Sequence, residues 1–111
     1  MTKQRRPLWR PKKQPAKAAT ETLTLKTTVE TDKESGEIIA VYFFIRPGRS
    51  AVTKEFGNGV AYADYDRHGK LLGIELLGAC QITVLDQISR KDVSPVKNFL
   101  RNAVPREMSI A

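Results

Sequence analysis

Between Asn58 and Ala79 the chain reads NGVAYADYDRHGKLLGIELLGA, two apolar-rich runs on either side of a polar knot. The runs Val60–Tyr65 and Leu71–Leu77 predict two strands. Asp66-Arg67-His68-Gly69-Lys70 predicts the turn between them. Asp opens such a turn by accepting backbone N–H groups. Gly three positions later takes the positive φ that closes a three-residue loop through a bulge. With Asp66 opposite Lys70, Asp64 meets Leu72, Tyr62 meets Ile74 and Val60 meets Leu76. That face is expected on the core, and Asp64 and Glu75 then lean to opposite faces. Ala61, Ala63, Gly73 and Glu75 fall on the other face, where small side chains admit a close neighbour.

The flanking pattern extends the sheet. Thr22–Thr31 alternates Leu23, Leu25, Thr27 and Val29 with polar residues, the mark of a half-buried strand. Asp32–Gly36 is a turn. Glu37–Ile45 is apolar at both parities, which predicts a strand covered on both faces, with Phe43 and Phe44 alike in the core. Arg46–Arg49 turns, Ser50–Phe56 gives a more polar strand near an edge, and Gly57-Asn58-Gly59 turns into the hairpin. Five strands on short turns make an antiparallel meander.

After Gly78 the period lengthens. Thr83 is placed to cap a short helix with Val84, Leu85 and Ile88 inward. Ser94-Pro95 reads as an N-cap with Pro at the first helical position. Val96, Phe99, Leu100, Ala103 and Val104 then share one helical face, and Pro105 ends the helix. The fold expected is α+β: a small antiparallel meander sheet of about five strands with one or two C-terminal helices packed on one face. The helices are expected over Ala61, Ala63 and Gly73. Residues 21–106 form the domain and 107–111 a short tail.

The hairpin DYDRHGKLLGIELLGA resembles the signature of a bacterial family, domain of unknown function 2283, roughly D-Y-D-x-x-G-x-x-x-G-I-E-[IL]-L. Asp64, Tyr65, Asp66, Gly69, Gly73, Ile74, Glu75, Leu76 and Leu77 carry the match. The similarity runs from about Thr22 to Leu85. Against the family's opening strand the chain offers DKESGEIIAVYFFI, Asp32–Ile45, which keeps the aspartate, the tyrosine and the apolar run but with altered spacing. The resemblance implies a small β-rich domain with no catalytic residues, some of whose relatives look like partners of small ribonuclease toxins. It makes Asp64, Asp66, Gly69, Gly73 and Glu75 the candidate partner or structural motif.

Charge separates the chain into two parts. Residues 1–20 carry Lys3, Arg5, Arg6, Arg10, Lys12, Lys13 and Lys17 and no acid, which accounts for the whole formal net charge of +7. Pro7, Pro11 and Pro15 recur every fourth residue and oppose a helix, so a disordered or polyproline II tail is expected. Its cations could neutralise phosphates while Trp9 stacks on a base, or the segment could simply solubilise. A secretory leader is not expected, since the segment lacks an apolar core. The longest apolar run, Ile38–Ile45, is far shorter than the ~20 residues of a membrane helix. A single cysteine, Cys80, allows no intrachain disulfide and suits a reducing cytoplasm.

No catalytic chemistry assembles from the sequence. One His and one Cys cannot supply a zinc set. Gly57-Asn58-Gly59 begins like a dinucleotide fingerprint, but Tyr62 occupies the third glycine's position. Cys80 and His68 stand at opposite ends of Leu71–Leu77, ~20 Å apart at about 3.3 Å per residue, too far for a nucleophile–base pair. Cys80 reads as a small core residue and His68 as an exposed turn residue. Asp64, Asp66 and Glu75 do not converge as metal ligands in this register, and no cofactor is expected. The first functional expectation is therefore a non-enzymatic protein-binding domain, its partner a small toxin on the family resemblance. The second is a nucleic-acid-associated protein using the basic tail. A homo-oligomer is compatible with either, and no membrane partner is expected.

Overall fold

The computed structural model describes residues 20–110. Five strands build the main sheet: β1 (Lys26–Thr31), β2 (Ile38–Phe44), β3 (Val52–Phe56), β4 (Ala61–Tyr65) and β5 (Leu71–Leu76). The order across the sheet is β1-β2-β5-β4-β3, every neighbour antiparallel. A two-stranded and a three-stranded meander thus meet along β2 and β5. Two helices, α1 (Ile82–Ile88) and α2 (Ser94–Ala103), lie on one face. The predicted fold class and the edge position of the third strand are both seen. The basic segment falls outside the described residues.

The core lies between sheet and helices. Val41, Phe43, Ile45, Ala61, Ala63, Ile74 and Leu76 meet Leu85, Ile88, Val96 and Leu100 there. Each large side chain so buried contributes about 1.5–3 kcal/mol. Phe43 and Phe99 pack edge to face, ring centroids 6.1 Å apart. Val96, Phe99, Leu100, Ala103 and Val104 all pack on the core, as their 3.6-residue spacing predicts. An Arg101–Asp86 ion pair at 2.6 Å ties α2 to α1 at the surface.

The hairpin turn forms as its residues dictate. Asp66 N donates to Lys70 O at 2.9 Å and Gly69 N to Asp66 O at 3.0 Å, with Gly69 at φ 81°. The register beyond it differs from expectation. Tyr65 pairs with Leu71, but Asp64 pairs with Gly73, so Leu72 is an extra residue in β5. From there Tyr62 faces Glu75, Ala63 faces Ile74 and Ala61 faces Leu76. The core face is therefore Ala61, Ala63, Ile74 and Leu76, and the predicted core positions Tyr62 and Asp64 are turned outward. The bulge lets both Leu71 and Leu72 be buried beside the turn, which strict alternation would forbid.

Other expectations are corrected with it. Glu75 and Asp64 share the outer face. The helices cover the two alanines but not Gly73, which lies under the Tyr42 ring: a Cβ there would overlap the Tyr42 hydroxyl. Among the described residues β2 is enclosed on one face only, since no described element covers its outer side; Phe43 is fully buried while Phe44 is 38% exposed. β1 begins at Lys26 rather than Thr22, since Leu25 sits at φ 46° and interrupts the extended chain. α1 begins at Ile82, so Thr83 is inside the helix and Gln81 precedes it with no side-chain cap. α2 begins one residue early, with Val93 before it and Ser94 already helical. Residues after α2 join the fold: Met108 is 4% exposed, and Ser109–Ile110 (β7) pair in parallel with Cys80–Gln81 (β6).

Candidate anion-binding cleft

Arg46 lies two residues past the end of β2 and is 7% exposed, the only charged residue buried to that degree among the described residues. Its Nη1 and Nη2 donate to the two carboxylate oxygens of Asp92 at 3.1 and 2.7 Å, and Nη1 also donates to Leu71 O at 2.6 Å. Nε lies 2.9 Å from Glu21 Oε2 in an ion pair, although its N–H is not aimed at the oxygen. The Asp92 hydrogen bonds raise the guanidinium pKa further. Burial pushes the Asp92 carboxyl up, but the Arg46 hydrogen bonds and charge outweigh it and hold the carboxyl below its ordinary value. This clamp fixes three pieces against one another: the chain leaving the basic segment, the start of β5 and the α1–α2 connection.

Beside the clamp opens a cleft of about 560 Å³, between the β3–β4 edge, the hairpin turn and the end of α1. That volume falls in the ordinary range for small-ligand sites, roughly 300–1,000 Å³. Five cations line it: Lys54 from β3, Arg67 and Lys70 from the turn, and Arg90 and Lys91 just past α1. All five are exposed. The aromatic members are Phe56 and Tyr65, and Lys54 Nζ lies 5.2 Å from the Tyr65 ring centre. Strand alternation places Lys54 and Phe56 on the same side of β3, and β4 supplies Tyr65 beside them.

The two acids of the lining are already engaged. Asp66 Oδ1 accepts His68 N at 2.8 Å and Lys70 N at 2.9 Å, and the Lys70 contact is the main cause holding its carboxyl below the ordinary value. Asp92 is committed to Arg46. The cations are less so; Lys70 has a loose partner in Glu21 at 3.9 Å. The cleft thus concentrates positive charge on a domain whose 21–111 sequence is charge-balanced.

The outer face of the sheet has the opposite character. Tyr42 donates its hydroxyl to Asp64 Oδ2 at 2.8 Å, and Thr53 donates to Asp64 Oδ1 at 2.6 Å. Burial first, then the Asp64 hydrogen bond, push the Tyr42 hydroxyl well above its ordinary value. Glu75 stands between Tyr42 and Tyr62 in the ladder, and Tyr42 stacks obliquely on Phe44, centroids 4.5 Å apart.

The residues singled out in the sequence therefore part company. Asp66 and Gly69 shape the rim of the cleft; Asp64, Gly73 and Glu75 belong to the outer face with Tyr42. His68 is exposed in the turn and Cys80 buried at the far end of the hairpin, where burial pushes its thiol up. No group of three or more His, Cys, Asp or Glu that could hold a metal ion exists among the described residues. None of their helices is long and apolar enough to cross a membrane. Lys3, Arg5, Arg6, Trp9, Arg10, Lys12, Lys13 and Lys17 lie outside the described residues. Sequence reasoning missed the cleft because its cations come from three separate stretches. Arg46, an arginine ending a run of apolar residues, was the one local signal that something buried would answer it. Compared with known proteins, the chain matches no family model, no curated sequence and no solved structure.

Proposed function

We propose that this protein is a non-enzymatic binding domain whose cleft takes a single nucleic-acid strand. The observation that carries the reading is the convergence of five exposed cations and two aromatic rings on one concavity. Phosphates supply the charge those cations lack, and bases supply faces for Tyr65 and Phe56 to stack on. A second observation points the same way. Glu21, where the described chain begins to fold, contacts Arg46 and Lys70 at the cleft's end. The described chain therefore begins at the cleft's end, directly after the sequence segment that carries seven cations and no acid.

Protein binding is the second reading. Its support is the outer face, where Phe44 and Leu77 are 38% and 50% exposed beside Glu75 and Asp64. A small toxin as partner rests on the hairpin resemblance alone.

The test is fluorescence anisotropy of a labelled oligothymidylate of about 15 nucleotides titrated with the full chain over a salt series. Affinity should fall steeply with salt, by about 0.7 log units per phosphate contact and log unit of salt. Arg90→Ala with Lys91→Ala should weaken binding about tenfold or more and flatten the slope by about 1.4. Tyr65→Leu should weaken it by about 1–3 kcal/mol with the slope unchanged, as lost stacking requires. Affinity and slope untouched by all three substitutions would remove the cleft from the reading.

A further inference from the structure

Among the described residues each edge of the sheet presents an unpaired strand, and the two edges differ in how they meet a copy of themselves. Among the described residues β1 pairs only with β2, and five of its six residues are exposed. Lys26, Thr28 and Glu30 share the outer face with their ladder partners Phe44, Tyr42 and Ala40; Thr27 and Val29 share the helix side with theirs, Phe43 and Val41. The helices do not reach Val29, which is 44% exposed.

We propose that two copies of this chain pair β1 to β1, antiparallel, about a two-fold axis at Thr28, so that one sheet runs through both. A two-fold axis normal to the sheet opposes only residues of the same face. Centred on Thr28, it sets Lys26 against Glu30 of the second copy, twice, and Val29 against Thr27 of the second copy, twice. Opposite charges directly across a ladder attract, and like charges repel. Lysine on an edge ordinarily deters strand addition. Here the acid four residues further on converts it into a register pin. The other edge lacks this complementarity: antiparallel self-pairing of β3 about its middle residue sets Lys54 against Lys54 of the second copy. β1 therefore self-associates, and β3 stays open beside the cleft. The dimer holds through backbone pairing and exposed ion pairs, so it is concentration-dependent and salt-sensitive.

Sedimentation equilibrium of the full chain, from about 10 to 500 µM at low salt, reads it directly. The mean mass should rise from 12.4 kDa toward twice that value with concentration. Lys26→Glu and Glu30→Lys should each weaken association about tenfold or more, since each opposes like charges. The double variant K26E/E30K should restore it. Oxidising Thr28→Cys should trap a disulfide dimer across the axis, independent of any effect of the charge variants on folding; Cys80 is buried and serves as the internal control. A monomer at every concentration with no trapped dimer overturns the proposal. So does association that the single charge reversals leave unchanged or that the double reversal fails to recover.

Discussion

At Phe43 the ring is fully buried and meets Phe99 edge-on; at Phe44 it is 38% exposed, with Lys26 Nζ 5.6 Å from the ring centre. Phe43→Ala should cost about 3–5 kcal/mol, enough to unfold much of so small a domain, as cavity formation in a packed core requires. Phe44→Ala should cost about 1 kcal/mol or less, since it leaves no enclosed void. Urea unfolding monitored by far-UV circular dichroism separates the two. The sequence makes these neighbours equivalent, because Ile38–Ile45 is apolar at both parities. What distinguishes them is which side the helices take, and that is a tertiary fact. Gly73 illustrates the same limit. A glycine within a strand does announce a close approach, but only the structure shows the neighbour to be Tyr42.

Among the elements, those with local chemistry were legible in the sequence. The turn at Asp66–Lys70 forms from one carboxylate accepting two N–H groups and a glycine at positive φ. α2 follows its apolar spacing. The bulge at Leu72 was not legible, because nothing in LLGIEL marks which leucine is extra, and that single residue moved every pairing beyond it. The clamp between the chain after β2 and the α1–α2 connection spans 46 residues and has no local signature. It makes a pH prediction. Asp92 has a folded-state pKa below its unfolded value of about 3.9, so its contribution is present above pH 4 and lost as pH falls through the folded value. Urea midpoints should therefore drop between pH 5 and pH 2.5. Asp92→Ala should cost about 3 kcal/mol at pH 7, by leaving the Arg46 guanidinium short of its main partner, and should flatten that drop. An unchanged acid slope in the variant would assign the loss to other carboxylates.

Over the whole molecule, charge is sorted by face as well as by segment. The helix side of the β3–β4 edge gathers Lys54, Arg67, Lys70, Arg90 and Lys91, while Glu55, Asp64 and Glu75 lie on the outer side. The balanced composition of the domain conceals this, since a count carries no geometry. The division between a basic segment and a neutral domain was plain from sequence; that the domain holds its own cationic cleft beside the segment's attachment was not. The nucleic-acid reading depends on that cleft. It is tested most directly by following backbone and side-chain NMR signals of the isotope-labelled full chain as the same oligothymidylate is added. The account predicts the largest shifts at Lys54, Tyr65, Lys70, Arg90 and Lys91, together with the basic segment. Shifts confined to residues 1–19, or centred on Tyr42, Phe44 and Glu75, would contradict it.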